Sequence, residues 1–283
     1  MKKLTYLIFV LAFFSCKSNT SGDQAKSEKT GSSSVTDIKK TDISAASQNT
    51  NPVSKATVPE ISCEKTLLTT IENFKVWKFN NSQVIAFQAK LAIDADGSPK
   101  AYCPGNKGLD FTANAGKPGN WYGVVTDNTG NPVIQKDTDP CPGCYVSPTT
   151  LNDKKLAKEN PLKYLNSEQI PFIALPSEVT KAGNIKIGDF AFVYNSKNGK
   201  SCFAIFGDGG PKGKLGEGSV FLADRLGVNS NPRNGGVSEG IIYLVFPGTG
   251  EGNGYLRTLE EINSNGKAAL EKSGGMPIID CLK

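Results

Sequence analysis

The chain has 283 residues, 38% hydrophobic and 21% charged, with seven Cys and no His. Without an imidazole, Ser-His-Asp and Cys-His catalysis and His-ligated metals are excluded, and acid–base work falls to carboxylates, Lys, Tyr or Cys. Of the formal charge of +5, two Lys in residues 1–16 and six Lys against four acids in residues 17–57 account for all but +1, so the body of the chain lacks a nucleic-acid footprint.

Lys2-Lys3 and the apolar run from Leu4 to Phe14 have the charged and apolar regions of an export signal, and the run is too short to cross a bilayer as a helix. Residues 1–15 are therefore expected to be a signal peptide. Cys16 after the small Ser15 resembles the lipobox of bacterial lipoproteins, with Phe13 and Phe14 in place of the usual Leu and small residue. That resemblance implies a diacylated Cys16 and an exported, membrane-anchored protein at the outer membrane, in the periplasm or on the cell surface. Residues 16–57 are rich in Ser, Thr, Lys, Asn and Asp and cannot bury enough surface to offset ordering entropy, which predicts a disordered tether. A single folded domain is expected over residues 58–283, large enough for a sizeable core. It is read as a monomer that meets the membrane only through the lipid.

In chain order, Gln83–Ile93, Trp121–Thr126, Ile170–Leu175, Asp189–Tyr194, Cys202–Phe206 and Ile241–Phe246 read as strands bounded by Gly, Pro, Asn or Asp. Helical patterns occur at Gly218–Leu226 and Leu259–Glu271, with a weaker one at Leu151–Leu165. Thirty Gly and 16 Pro suit many tight turns. The expected fold is β-rich, all-β or α+β: one barrel-like domain with a few short helices, the double-psi barrel being one such form. Long amphipathic helices do not alternate with the strands, which argues against a doubly wound sheet.

Apart from Cys16, the cysteines are Cys63, Cys103, Cys141, Cys144, Cys202 and Cys281, an even number compatible with up to three disulfides in several pairings. Cys141-Pro142-Gly143-Cys144 has the spacing of a redox motif but is surrounded by turn formers, so a structural role is expected of it. Two thiolates without a second close pair make a weak zinc site, and no metal or cofactor is expected.

Phe203-Ala204-Ile205-Phe206-Gly207-Asp208 ends an apolar strand, and after a Gly-rich turn Glu217 stands at the start of a predicted helix. Two carboxylates with glycines beside them suit glycoside hydrolysis, which needs one acid and one base with room for a sugar chain. Equally, Asp208 fits a turn and Glu217 a helix start. Gly209–Lys214 lacks the spacing of a phosphate loop, and Gly248–Gly254 lacks that of a dinucleotide site.

Ile93-Asp94-Ala95-Asp96-Gly97, Ile170–Pro176, Ile187–Phe190, Phe203–Asp208, Leu215-Gly216-Glu217-Gly218-Ser219 and Ile242–Pro247 together resemble, in order, the blocks of the chitosanases of glycoside hydrolase family 75. The resemblance covers roughly residues 85–250, departs from the family at Gly218 and in the Cys-Pro-Gly-Cys stretch, and implies Asp208 and Glu217 as the two essential carboxylates. It implies endo-cleavage of β-1,4 bonds in chitosan or a related amino-sugar polysaccharide, with inversion. The higher reference pKa of Glu and the apolar Leu215 beside it favour Glu217 as general acid; Lys212 and Lys214 after Asp208 favour Asp208 as the ionised base.

Asp94, Asp96, Trp121 and Tyr122 are candidate sugar-binding residues, with Asp110 and Asp189 weaker ones. A calcium loop starting at Asp94 would carry Gly105 where Glu is needed, so calcium is disfavoured. A near-neutral domain binds a polycation only where its acids gather in one groove. A non-catalytic carbohydrate-binding lipoprotein and a peptidoglycan lyase on a similar barrel are the other classes open to such a sequence.

Overall fold

The computed structural model describes residues 62–282. Its strands are β1 (Lys65–Ile71), β2 (Phe74–Phe79), β3 (Ile85–Asp94), β4 (Gly116–Lys117), β5 (Asn120–Trp121), β6 (Phe172–Leu175), β7 (Phe190–Asn195), β8 (Ser201–Gly209), β9 (Glu217–Ser219) and β10 (Val237–Val245). Three α-helices accompany them: α1 (Ser177–Gly183), α2 (Val220–Arg225) and α3 (Leu259–Lys272).

β3 organises the sheet. One of its edges pairs with β10, while the other is divided, β2 taking Ile85–Phe87 and β9 taking Ala92–Asp94. The order β3-β10-β7-β8-β6-β9 then returns to β3 and closes a six-stranded barrel, with the β1–β2 hairpin as an extension. Closure removes the open edges that a sheet of this size would otherwise present.

β7 and the second half of β10 bury both faces, and for that reason Phe190–Tyr194 and Ile241–Val245 read as unbroken apolar runs instead of alternating ones. Ala191, Val193, Ile241, Tyr243 and Val245 join Phe87, Leu91, Ile173 and Phe206 in one cluster drawn from five barrel strands. Their sequence neighbours Phe190, Phe192, Ile242 and Leu244 point the other way, under Ile262 and Leu270 of α3 and under Ile278 and Ile279 of the C-terminal 3-10 turn. Each such side chain contributes roughly 1.5–3 kcal/mol on burial. Helix α3 starts at a capping box in which the Thr258 side chain accepts from Glu261 N and the Glu261 side chain accepts from Thr258 N.

Several expectations need correction. The Leu151–Leu165 pattern forms no α-helix and holds only the 3-10 turn Pro161–Lys163: Asn152 N donates to the Asn253 side chain and Asn152 Nδ2 to Thr150 O, and Pro161 has no N–H to continue a helix from the residues before it. Trp121–Thr126 is a strand only in β5, followed by an isolated Thr126–Pro132 bridge. Glu217 opens a short strand, and the helix begins three residues later. The sequence patterns give no strand or helix at the β1–β2 hairpin or at helix α1.

Of the six cysteines expected to pair, four do, as Cys63–Cys281 and Cys103–Cys144, while Cys141 and Cys202 remain thiols. Cys202 lies on β8 against the barrel cluster, where burial pushes its thiol up to about 11. Cys141 is left over because Cys103 takes Cys144. Cys16, the signal peptide and the tether lie outside the described residues.

Candidate active site

The two carboxylates singled out from the sequence are set by strand register. Ala174 of β6 pairs with Asp208 of β8 on one side and with Glu217 of β9 on the other. The Cα atoms of Asp208 and Glu217 are therefore two strand spacings apart, ~10 Å, with only the methyl group of Ala174 between them.

Simple alternation would not give this arrangement. Phe206 pairs with Ile173 and both join the barrel cluster, so strict period-two alternation would send Asp208 inward as well. Gly207 is an extra residue opposite the Ile173–Ala174 step, a β-bulge that turns Asp208 onto the outer face shared by Ala174 and Glu217. The bulge requires glycine: a Cβ at Gly207 would lie 2.7 Å from both Leu165 Cδ1 and Phe172 Cβ.

Two further acids adjoin the pair. Ala92 of β3 pairs with Glu217 and Asp94 with Ser219, so Asp94 stands two residues along the same face from Glu217's partner. The chain then turns, Asp96 N donating to Asp94 Oδ1 at 2.7 Å. Asp96 Oδ1 accepts from Ser147 Oγ at 3.2 Å, and the buried Tyr102 hydroxyl also donates to the Asp96 carboxylate. Asp94, Asp96, Asp208 and Glu217 open into one cavity of about 790 Å³, which Asp110, Tyr122 and Lys214 also line.

Burial raises all four acids, but their surroundings differ. Asp208 is pushed above the usual carboxylate range by burial, and the opposing effect comes from donors to Oδ1: Thr150 Oγ1 at 2.6 Å, Thr150 N at 2.9 Å and Gly209 N at 2.7 Å. Those hydrogen bonds favour the ionised form. Glu217, half-buried, is pushed up to about 7 by burial and then by the Asp208 charge, with Lys214 and Lys90 pulling the other way. Asp94 and Asp96 lie well above the ordinary range, through burial first, then the Asp96 charge for Asp94 and the Asp208 charge for Asp96. Burial, followed by the Asp96 charge, pushes up the Tyr102 hydroxyl, which therefore remains a neutral donor. Carboxyl groups gathered around one cavity disfavour one another's ionised form, and the cleft offers proton donors and acceptors side by side.

Asp94, Asp96, Asp208, Glu217 and Tyr122 from the sequence candidates, and the weaker candidate Asp110, thus meet in one cavity. Trp121 does not line it; its ring lies 6.3 Å from that of Tyr145 in a small separate cluster, where it serves packing. Lys214 acts on Glu217, and Lys212 lies near Glu178, so neither lysine is what favours the Asp208 anion. Asp189 is fully buried and accepts from Thr249 N, Gly250 N and Lys186 N, tying two loops together. Tyr102 and Thr150 escape sequence reasoning because Thr150 is 58 positions from the carboxylate it supports and neither carries a local motif.

No curated protein gives a significant match to the chain. The family model described as "Fungal chitosanase of glycosyl hydrolase group 75" matches residues 91–271, a span that contains all four cleft carboxylates. With most of the folded barrel inside that match, the chain belongs to the family 75 chitosanases and is a glycoside hydrolase of the chitosanase type.

Proposed function

We propose that the protein is an endo-acting hydrolase that cleaves β-1,4 bonds of chitosan or a related amino-sugar polysaccharide with inversion. In this mechanism protonated Glu217 donates to the leaving glycosidic oxygen, and ionised Asp208 takes a proton from a water attacking the opposite face of the sugar. The observation that carries this reading is the single intervening strand residue, Ala174, between the two carboxylates. Two strand spacings between the Cα atoms suit the roughly 6.5–9.5 Å carboxyl separation that leaves space for a water.

The assignment of roles rests on the donors. Three hydrogen bonds favour the Asp208 anion, whereas Glu217 holds its proton up to about pH 7. Asp94 and Asp96 bring two more carboxyl groups into the same cleft, so the acids of a near-neutral domain gather where a polycation would lie. Tyr122 offers a sugar-stacking face at the cavity. We further propose a monomer exported and held to a membrane by a lipid on Cys16, with residues 17–57 as its tether.

The test is reducing-end release from chitosan by the wild type, Asp208→Asn and Glu217→Gln, with the anomer of the first product read by NMR. A wild type that forms the α-anomer and two variants that lose turnover are expected. A retained β-anomer would overturn inversion, and full activity of Asp208→Asn would overturn the two-carboxylate mechanism. Anhydro-ended products from peptidoglycan would make the protein a lyase instead.

A further inference from the structure

Cys141 keeps a free thiol, yet it is not isolated. Its sulfur and those of the bonded Cys103 and Cys144 all lie within 4.8 Å of one another. The stretch Cys141-Pro142-Gly143-Cys144 is a tight turn in which Cys144 N donates to Cys141 O at 3.0 Å, with Pro at the second position and Gly143 at φ 82° at the third. Such a turn brings its end Cα atoms within about 7 Å, which overlaps the roughly 4.4–6.8 Å range of disulfides.

A buried glutamine holds this geometry. Gln135 Oε1 accepts from Cys141 N at 3.0 Å and Gln135 N donates to Cys144 O at 2.8 Å, while Gln135 Nε2 donates to Pro99 O at 2.6 Å and Tyr145 O at 3.1 Å. The sulfurs border a surface cavity of about 450 Å³, separate from the carboxylate cleft and flanked by Lys100 and Lys107. A fixed thiol this close to a disulfide has the high effective concentration that makes intramolecular exchange fast.

We infer that Cys103, Cys141 and Cys144 form a thiol–disulfide exchange centre in which Cys141 can displace either partner of the existing bond. In one direction the Cys141 thiolate attacks Cys144 Sγ. The Cys103–Cys144 bond breaks as the Cys141–Cys144 bond forms, and Cys103 leaves as a thiolate that takes up the proton Cys141 gave away. Attack on Cys103 Sγ gives Cys103–Cys141 and a free Cys144 in the same way. One disulfide and one thiol stand on each side, so the step needs no oxidant or reductant. Cys202 provides the contrast among the described residues: it is a half-buried thiol on β8 and is not part of this sulfur cluster.

Disulfide mapping of the full chain tests this. Samples are quenched in acid, alkylated with N-ethylmaleimide in denaturant, and digested without reduction. Cys103→Ser is expected to contain Cys141–Cys144, and Cys144→Ser to contain Cys103–Cys141, each with Cys63–Cys281 intact as the sign of a folded chain. Alkylated Cys141 in both folded variants would overturn the proposal. The wild type gives an answer that does not depend on the variants folding: after incubation near pH 8.5, where thiolates are abundant, the label should be shared among Cys103, Cys141 and Cys144. Label confined to Cys141 within this cluster would overturn the exchange centre.

Discussion

The barrel and the long wall opposite it solve the same positioning problem by different means. Asp94, Asp208 and Glu217 are held by strand register, each on a residue with a defined cross-strand partner. Residues 95–171, in contrast, contain little regular structure beyond β4, β5 and 3-10 turns. That stretch is ordered by buried polar side chains bonded to backbone, among them Ser98, Gln135, Ser147, Thr149 and Ser167, and by the Cys103–Cys144 bond. The difference teaches where tolerance lies: the proposed catalytic pair stands on the ladder, whereas the wall supplies Tyr102, Tyr122 and Thr150, which line the same cavity or bond to its acids. Long segments of this kind are uncommon in compact domains unless they carry function.

The comparison breaks most sharply at the barrel pair. Asp208→Asn and Glu217→Gln should each lower kcat on chitosan by roughly 10²–10⁴, the usual contribution of a positioned acid or base, with the melting temperature at neutral pH unchanged or raised. A variant that unfolds instead would show that the carboxylate serves the fold. Next in size is the wall. Cys103→Ala combined with Cys144→Ala removes a crosslink spanning 41 positions, worth about 4 kcal/mol by loop-closure entropy. The double variant should unfold at lower denaturant and be cut first within residues 95–171; an unchanged midpoint and cleavage pattern would show that the polar network alone holds the wall.

The cleft also makes stability depend on pH, with a sign that follows from the direction of the shifts. Glu217 is raised from 4.5 to about 7, so its folded form binds a proton that the unfolded chain releases. That contribution is fully present below the unfolded value and is lost as pH rises through about 7, at most about 3 kcal/mol for this one group. Glu217→Gln should therefore be more stable than the wild type at pH 8 and no more stable at pH 4, as urea titrations at the two values would reveal. With Glu217 as the proposed acid, turnover is expected to share this upper limit and to fall as Glu217 loses its proton near pH 7, which a pH–rate profile checks.

How much of this was legible depended on the same division. Strands β3, β6, β7, β8 and β10 and helix α3 were readable because apolar runs and caps are local signals. Asp208 and Glu217 are visible through their flanking glycines, and Asp94 and Asp96 through the resemblance of their block to the family. The bulge at Gly207 was not, since an extra residue shows only against its partner strand. Thr150 was invisible for a related reason: its hydroxyl meets Asp208 through a loop whose path is fixed by tertiary hydrogen bonds. The pairing of Cys103 with Cys144 instead of Cys141 likewise depends on where Tyr145 N meets Tyr102 O, a long-range contact without sequence periodicity.

Thr150→Val sharpens the comparison from the wall side, because it removes the 2.6 Å hydroxyl bond to Asp208 while keeping the backbone donor. A hydrogen bond to a charged group contributes about 1.5–3 kcal/mol, so Asp208 should protonate at higher pH and the acidic limb of the kcat/KM profile should move upward. Turnover at the acidic end should fall roughly 10- to 100-fold. A uniform loss at every pH would mean that Thr150 acts on the fold and not on the base.

The smallest effect separates two adjacent aromatics. Tyr122 is 66% exposed and lines the cavity, whereas Trp121 is half-buried beside Tyr145. If Tyr122 stacks on a sugar outside the scissile bond, Tyr122→Ala should remove about 1 kcal/mol of uniform binding, raising KM several-fold and leaving kcat alone. Trp121→Ala should do the reverse, lowering the melting temperature through lost packing with little change in KM. An unchanged KM in Tyr122→Ala would remove that ring from the substrate path. A raised KM in Trp121→Ala at unchanged stability would mean that sugar reaches past Tyr122 to the ring that packs beside Tyr145.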